Sequence, residues 1–260
     1  MSKEHDGDEN VEEMGATSDE VWGKSVLITG ANRGIGLKLL EGFLQEGAGK
    51  VYAAVRSVNS VQGLVDRYHE RVVPIRLDLT DQESVSAAAE KANDVEIVVN
   101  NAGVLRASDL RDERALEALR FEIEVNLYGL IRMAQSFAPV LKANGGGHFV
   151  QINSIASIPD FATFTASKAA AYSITQSLQS TLAMQNTRVI SVHPGPILTD
   201  MGIEAGLTDI AEPAEVVASA LFEAIATGKF HAWAGSLAKR IGATYEGTEF
   251  TGLKRSLAAN

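Results

Sequence analysis

The stretch that most constrains this chain is Lys24 to Leu40, KSVLITGANRGIGLKLL. Val26 to Ile28 form a short apolar run bounded by turn residues, which reads as a buried parallel strand. Thr29, Gly30, Ala31, Asn32, Arg33, Gly34, Ile35 and Gly36 follow, and then Leu37, Leu39, Leu40, Phe43 and Leu44 recur at near-helical spacing. A strand therefore runs into a glycine-rich turn and then into a helix. Glycine permits a positive φ and lets backbone approach a ligand closely. The helix start offers unpaired N–H groups and the positive end of its dipole to a phosphate. The pattern describes a dinucleotide-type cradle. Taken alone it also fits a tight loop without a ligand. What lifts it is the strand–helix alternation that continues along the chain.

The 260 residues, 45% hydrophobic and 22% charged, suit one larger compact domain. With no Cys there is neither a disulfide framework nor thiolate chemistry, and a reducing cytoplasm is the expected compartment. No apolar run is long enough to span a bilayer, and the acidic N-terminus lacks a signal-peptide core, so no export and no membrane partner are expected. Residues 1–20 carry eight acids against the single base Lys3, so −7 of the net charge of −10 belongs to them. Residues 1–22 are expected to be a disordered acidic tail and 23–260 one catalytic domain. No basic patch points to nucleic acid.

Strands are expected at 24–29, 50–55, 72–77, 95–99, 148–152, 188–192 and 230–233. Helices are expected at 34–47, 63–69, up to Ala92 after a cap at Thr80 or Asp81, 116–143, 164–184 and 215–227. The tract Asn144-Gly145-Gly146-Gly147 stops the long fourth helix, and residues 245–260 carry no pattern. This alternation specifies an α/β chain: a doubly wound parallel sheet of about seven strands with helices on both faces. Ligands in such sheets bind outside the carboxyl ends of the strands. The unusual motifs all fall at such ends: 29–36, 56, 78–80, 100–103, 153–154 and 194–199.

Taken together these motifs resemble the short-chain dehydrogenase/reductase family over residues 24 to about 233. The Thr-Gly-x-x-x-Gly-x-Gly turn stands at Thr29–Gly36 and Asn-Asn-Ala-Gly at Asn100-Asn101-Ala102-Gly103. Asn126 falls on the long helix, and Pro194-Gly195, with Ile197 and Thr199, matches the Pro-Gly-x-x-x-Thr segment. The resemblance implies a single-domain Rossmann fold and an oxidoreductase. It also implies a cofactor held by Gly30, Asn32, Arg33, Gly34, Ile35, Gly36, Asn101, Ala102, Gly103, Pro194, Gly195, Ile197 and Thr199. Asp78 and Leu79 resemble the pair that flanks the adenine ring, and Asp78 also reads as a helix-start residue. An NAD enzyme places an acid at the end of strand two to hold the ribose 2′-hydroxyl. Here that end is Ala54-Val55-Arg56. Arg56 and Arg33 offer guanidinium forks where a 2′-phosphate would lie, so NADP(H) is expected. The competing reading is two solvated surface arginines.

The departure lies at the catalytic centre. The family's Tyr-x-x-x-Lys is here Phe164-Thr165-Ala166-Ser167-Lys168. In the family tyrosine hands a proton to the carbonyl oxygen, lysine holds the nicotinamide ribose, serine steadies the substrate oxygen and asparagine supports a proton relay. Carried over, Lys168, Ser154 and Asn126 remain, and Phe164 can pack against substrate but cannot donate a proton. Ser154 directly follows the strand-five run, with Ser157 as its competitor. Three readings of Phe164 stay open: a Tyr→Phe form of a carbonyl reductase with impaired turnover, a native phenylalanine in an enzyme reducing an imine or iminium, and a non-catalytic NADP-binding protein. Met201, Ile203 and Leu207, with Phe161, Phe164, Leu105 and Arg106, suggest a pocket for a small hydrophobic carbonyl or imine substrate, or else ordinary core packing. His193 reads as structural, and His69 and His231 as unsupported singles. No metal-ligand spacing occurs, and Ser154 lacks a His/Asp partner for acyl transfer. Tyr172, Thr175, Gln179 and Leu182 recur at helical steps as an outer stripe for a partner helix. A homodimer or homotetramer through the two long helices is implied by the resemblance, with a monomer as the alternative.

Overall fold

The central strands of the sheet are largely apolar because they are buried on both sides. In β1 (Ser25–Thr29), Val26 and Ile28 enter a core with Leu39, Leu40, Phe43 and Leu221, while Leu27 enters the opposite core with Met133, Phe137 and Phe149. The structure, a computed structural model, describes residues 19–106, 108–158 and 162–246. The acidic stretch 1–18 and Phe161 lie outside the described residues.

Six further strands follow: β2 (Lys50–Val55), β3 (Val72–Arg76), β4 (Ile97–Asn100), β5 (Gly147–Ile152), β6 (Thr187–Pro194) and β7 (His231–Ala234). They form one seven-stranded sheet in the order β3-β2-β1-β4-β5-β6-β7, and every neighbouring pair is parallel. The α/β, doubly wound Rossmann architecture expected from the sequence is therefore present. The order reverses between β1 and β4, and that reversal opens the crevice where such sheets take ligands.

Helices α1 (Gly34–Gln45), α2 (Gln62–Tyr68) and α8 (Glu215–Thr227) cover one face. The other face carries α3 (Gln82–Lys91), α4 (Ala115–Ile123), α5 (Gly129–Ala143) and α6 (Ala162–Ala183). Two further helices, α7 (Asp200–Glu204) and α9 (Ser236–Glu246), complete the described order. The α3 cap is Asp81, whose Oδ1 accepts the N–H groups of Glu83 and Ser84 at 3.0 and 3.2 Å. The Thr80 hydroxyl instead donates to Asp78. The glycine tract works as a stop: Gly146, at φ 108°, donates its N–H to Leu141 O.

Three expectations need correction, and one helix is added. The long helix is not continuous, because a π turn over Glu124–Tyr128 joins α4 to α5. The stripe Tyr172, Thr175, Gln179 and Leu182 is not an outer face: Tyr172, Thr175 and Leu182 are buried and only Gln179 is exposed. In a helix rich in Ala, Ser and Thr the polar pattern does not separate the inner side from the outer. Thr175 is held there by its own bond to Ala171 O and by Asn153 Nδ2. The last helix, α9, carried no readable signal, since its residues are mostly small or polar. It forms against β7, where Gly242 lies flat on the Trp233 ring. His231 is not isolated, for its ring stacks on Trp233 and approaches His193.

Replacing Asp81 with Ala should lower the unfolding free energy by about 1 kcal/mol, the usual worth of such a cap. Thr80→Ala should cost clearly less. Urea unfolding of the two variants measures the difference.

Candidate active site

The polar groups of the crevice begin with Thr29, which is 1% exposed at the end of β1. Its Oγ1 accepts the N–H groups of Asn101 and Ala102, both at 2.9 Å, and donates to Asn100 Oδ1 at 3.2 Å. Asn101 Nδ2 returns a bond to Thr29 O at 2.8 Å. The glycine turn and the Asn-Asn-Ala-Gly turn are thus one unit. Gly36 is required by contact: a Cβ there would stand 2.2 Å from Gly30 O and 2.6 Å from Asn101 Nδ2. Gly30 itself takes φ +68°, the left-handed region. The turn delivers α1 with its first N–H groups facing open space.

That space is a cavity of about 1070 Å³. It brings together Gly30, Asn32, Arg33, Gly34, Ile35 and Gly36 from the turn, Arg56 from the end of β2, and Asp78 and Leu79 from beyond β3. Asn101, Ala102 and Gly103 join from β4, Ser154 from β5, Phe164 and Lys168 from α6, and Pro194, Gly195, Ile197 and Thr199 from beyond β6. Every proposed site residue but Asn126 lines it. The residues fit a dinucleotide on the glycine turn at the start of α1, which lines the cavity, and on the two arginines at the β1–β2 side. Asp78 has its carboxyl held below the usual range, chiefly by the Thr80 N–H, against partial burial, with help from the Thr80 hydroxyl and the charges of Arg56 and Arg76.

Asn126 stands behind the wall, in the π turn. Its Oδ1 accepts the Val104 N–H at 2.9 Å, and its Nδ2 donates to Val104 O at 2.9 Å and Ser167 Oγ at 3.0 Å. The Ser167 hydroxyl in turn donates to Phe164 O. The asparagine therefore clamps the loop after β4 to the start of α6. Only Gly103 separates it from the lysine: a Cβ on Gly103 would lie 3.1 Å from Asn126 Oδ1 and 3.5 Å from Lys168 Nζ.

Lys168 is 6% exposed, and Nζ donates to Ile152 O at 3.1 Å. Burial brings its pKa down to about 8. The same carbonyl accepts Gln151 Nε2 at 3.1 Å, and Gln151 Oε1 accepts Asn100 Nδ2 at 2.8 Å. A buried polar chain thus runs from Thr29 through Asn100 and Gln151 to the carbonyl that Lys168 holds. The Phe164 ring lies 5.8 Å from Nζ, centroid to atom, and presents no hydroxyl to the cavity. Of the two serines, Ser154 lines the cavity. Ser157 is buried away from it, with its hydroxyl donating to Ser154 O. Ser154 O also faces His193 Nδ1 at 3.4 Å, and burial drives the His193 pKa down to about 3, so this ring is neutral.

Toward β5 and β6 the wall is apolar. Leu105, Phe121, Val125, Ile155, Met201 and Leu207 line it, and α9 adds Leu237. Arg106 does not belong to the lining: its guanidinium lies 4.1 Å over the Phe121 ring and pairs with Glu117. Ile203 is exposed on α7 and also lies outside it. Sequence reasoning missed Leu237, because α9 was unread, and Ser57 and Ser60, which line the cavity beside Arg56. Asn153 was treated as a strand end, and its Nδ2 bonds Thr175 and Ser191 beneath Ser154. Among the described residues no group of three or more His, Asp or Glu side chains is placed to hold a metal, and no helix is long and apolar enough to cross a membrane.

A family profile described as short chain dehydrogenase matches residues 24–209. The 7alpha-hydroxysteroid dehydrogenase of Escherichia coli is 30% identical over 187 residues, covering 68% of this chain and 72% of its own. The trans-4-hydroxycyclohexanecarboxylate dehydrogenase of Sinomonas cyclohexanicum is 31% identical over 215 residues, covering 76% of this chain and 82% of its own. A short chain dehydrogenase from Burkholderia cenocepacia, solved in complex with NADP, superimposes with a TM-score of 0.79 at 35% identity, covering 91% of this chain and 98% of its own. With the strand order, the crevice and the motifs that line it, these matches make the chain a member of the short-chain dehydrogenase family.

Proposed function

We propose that this chain is an NADP(H)-dependent oxidoreductase that moves hydride to or from a carbonyl or alcohol carbon of a small hydrophobic substrate. The observation that carries the reading is the pair Arg33 and Arg56, both lining the cavity where β2 ends without a carboxylate. Guanidinium forks suit a 2′-phosphate, and a carboxylate at that place would suit a free 2′-hydroxyl. The NADP-bound Burkholderia relative supports the choice. When bound, the nicotinamide supplies the hydride. The chain's own residues then do the rest: Gly36 lets the start of α1 pack on Gly30 and Asn101, Thr199 would help hold the cofactor, and Lys168 holds a proton at Nζ in a dry setting. Ser154 offers a hydroxyl to the substrate oxygen, and Asn126 keeps Gly103 and α6 in register.

The apolar wall from Leu105 to Leu237 selects a neutral, bulky substrate. The hydroxysteroid and hydroxycyclohexane relatives, both named for ring alcohols, support a ring ketone or ring alcohol. Phe164 determines how fast the chain can act. Without a phenol, the alkoxide left by hydride addition lacks its proton donor, and a lost general acid costs roughly 10²–10⁴-fold. A second reading rests on the same ring: an iminium carbon gives a neutral amine on hydride addition and needs no proton, and an aromatic face suits its charge. The third is an NADP-binding protein without turnover. The proposal includes a cytoplasmic setting, and a homodimer or homotetramer through the outer faces of α4–α5 and α6, where Leu116 and Tyr128 are exposed.

NADPH oxidation against a panel of cyclic ketones, aldehydes and cyclic imines, with this chain and Phe164→Tyr side by side, tests the reading. Ketone reduction should rise by 10²-fold or more with tyrosine. Imine reduction that is already fast with Phe164 and unchanged by tyrosine supports the second reading. Silence from both with NADPH bound tightly would move the chain to the binding proteins.

Lys168 gives a stability test free of substrate. Its folded pKa of about 8 lies below the ordinary 10.5. Below pH 8 both states are protonated and the full burial penalty applies. Between pH 8 and 10.5 the unfolded chain holds more protons, so stability rises with pH. Lys168→Met should abolish that rise and stabilise the cofactor-free protein at pH 7 by on the order of 2 kcal/mol. Chemical denaturation at pH 7, 8, 9 and 10 measures both.

A further inference from the structure

The two lips of the crevice touch at one place. Arg33 stands at the start of α1 with extended backbone, and its Nη1 forms an ion pair with Asp200 Oδ2 in the first turn of α7. The side chains are 68% and 61% exposed, and both residues line the cavity. Beside them Gly34 meets the Thr199 side chain, for a Cβ on Gly34 would lie 3.1 Å from Thr199 Cγ2. The segment after β6 therefore carries a carboxylate onto the guanidinium that stands next to the cofactor cradle.

A guanidinium fork takes a carboxylate and a phosphate ester by the same geometry. It does not hold both cheaply, because the two anions then stand within a few ångströms of each other and repel. We propose that Asp200 is a specificity-determining residue, an internal carboxylate that competes with the cofactor's 2′-phosphate for Arg33. This rests on the NADP(H) reading above. In the free protein Arg33 is engaged by Asp200. A 2′-phosphate entering beside Arg56 has to draw Arg33 away or share it. A cofactor without that phosphate leaves the pair alone. Asp200 therefore lowers the affinity for NADPH selectively and narrows its advantage over NADH. The size is bounded by the worth of an exposed pair, so the effect is two- to fivefold rather than orders of magnitude. Arg56 is the internal contrast: among the described residues no carboxylate is hydrogen-bonded to it, and Asp78, whose carboxyl feels its charge, accepts its hydrogen bonds from Thr80.

The test is equilibrium binding of NADPH and NADH, followed by cofactor fluorescence at low fixed ionic strength. It compares the unaltered chain with Asp200→Asn, Arg33→Ala and the double variant. Asp200→Ser serves as a second neutral replacement that keeps a good first-turn residue, and thermal unfolding checks that each variant is folded. Asp200→Asn and Asp200→Ser should tighten NADPH two- to fivefold, leave NADH within experimental error, and lose that gain in the Arg33→Ala background. Binding of 2′,5′-ADP should follow NADPH, and ADP should follow NADH. If Arg33→Ala weakens NADPH but the Asp200 variants leave it unchanged or weaken it, the competition is wrong while the NADP(H) reading stands. Equal tightening of NADPH and NADH would also overturn it, by placing Arg33 on the pyrophosphate. If Arg33→Ala leaves NADPH binding untouched and NADH binds as well, the reading and the inference fall together.

Discussion

One hydroxyl joins β1 and β4, the two strands between which the strand order reverses. Thr29 Oγ1 takes two backbone N–H groups from the turn after β4 and gives its proton to Asn100, all inside the sheet's buried end. At low local dielectric such bonds are strong, and leaving any one of them unmade is costly. The glycine turn cannot shift against Asn101 without breaking them, and Gly36 cannot pull away from Gly30 without opening the start of α1. The chain of contacts then continues sideways through Asn100, Gln151 and the Ile152 carbonyl to Lys168. The phosphate cradle and the buried amine are fixed relative to one another across β1, β4 and β5. From Asn100 to the Ile152 carbonyl the links lie within the sheet itself.

This explains which parts were legible in the sequence. Strands buried on both faces read as plain apolar runs, and their ends are marked by the residues that must turn or bond there: Gly30, Asn101, Ser154 and Pro194. A motif at each strand end becomes one site as soon as the sheet is parallel, which is why all but one of the proposed residues line a single cavity. What could not be read depends on packing. The π turn at Glu124–Tyr128 leaves no residue pattern, because it is stabilised by what Asn126 reaches on Val104 and Ser167. Helix α9 has a weak pattern of its own and forms against Trp233 and β7. The inner stripe of α6 looked like an outer one because Thr175 and Tyr172 are polar at their tips, and their tips are satisfied inside.

The centre of α6 shows the same division between what the chain specifies locally and what tertiary structure imposes. Residues 164 and 168 are one helical turn apart, so ring and amine share a face whatever the ring carries. Burial then acts on both. It costs the phenyl ring nothing and lowers the amine's hold on its proton, which Nζ donates to the Ile152 carbonyl. A lysine kept in such a place is a loss in stability, and it is the kind of loss that clusters at reactive sites. Phe164 does not relieve it. The amine is held by the Ile152 carbonyl, and the ring one turn before it presents no hydroxyl to the cavity.

The same contrast between buried and exposed polar groups sets where this site can be tuned. The links from Thr29 to the Ile152 carbonyl hold neighbouring strands together, so a change among them would unsettle the fold under the site. Arg33 and Asp200 are both more than half exposed and sit at the rim, where water screens them and either can be exchanged at little cost to the fold. The enclosed interior fixes the floor of the crevice, and the exposure of the surface pair makes the rim the cheaper place for substitution.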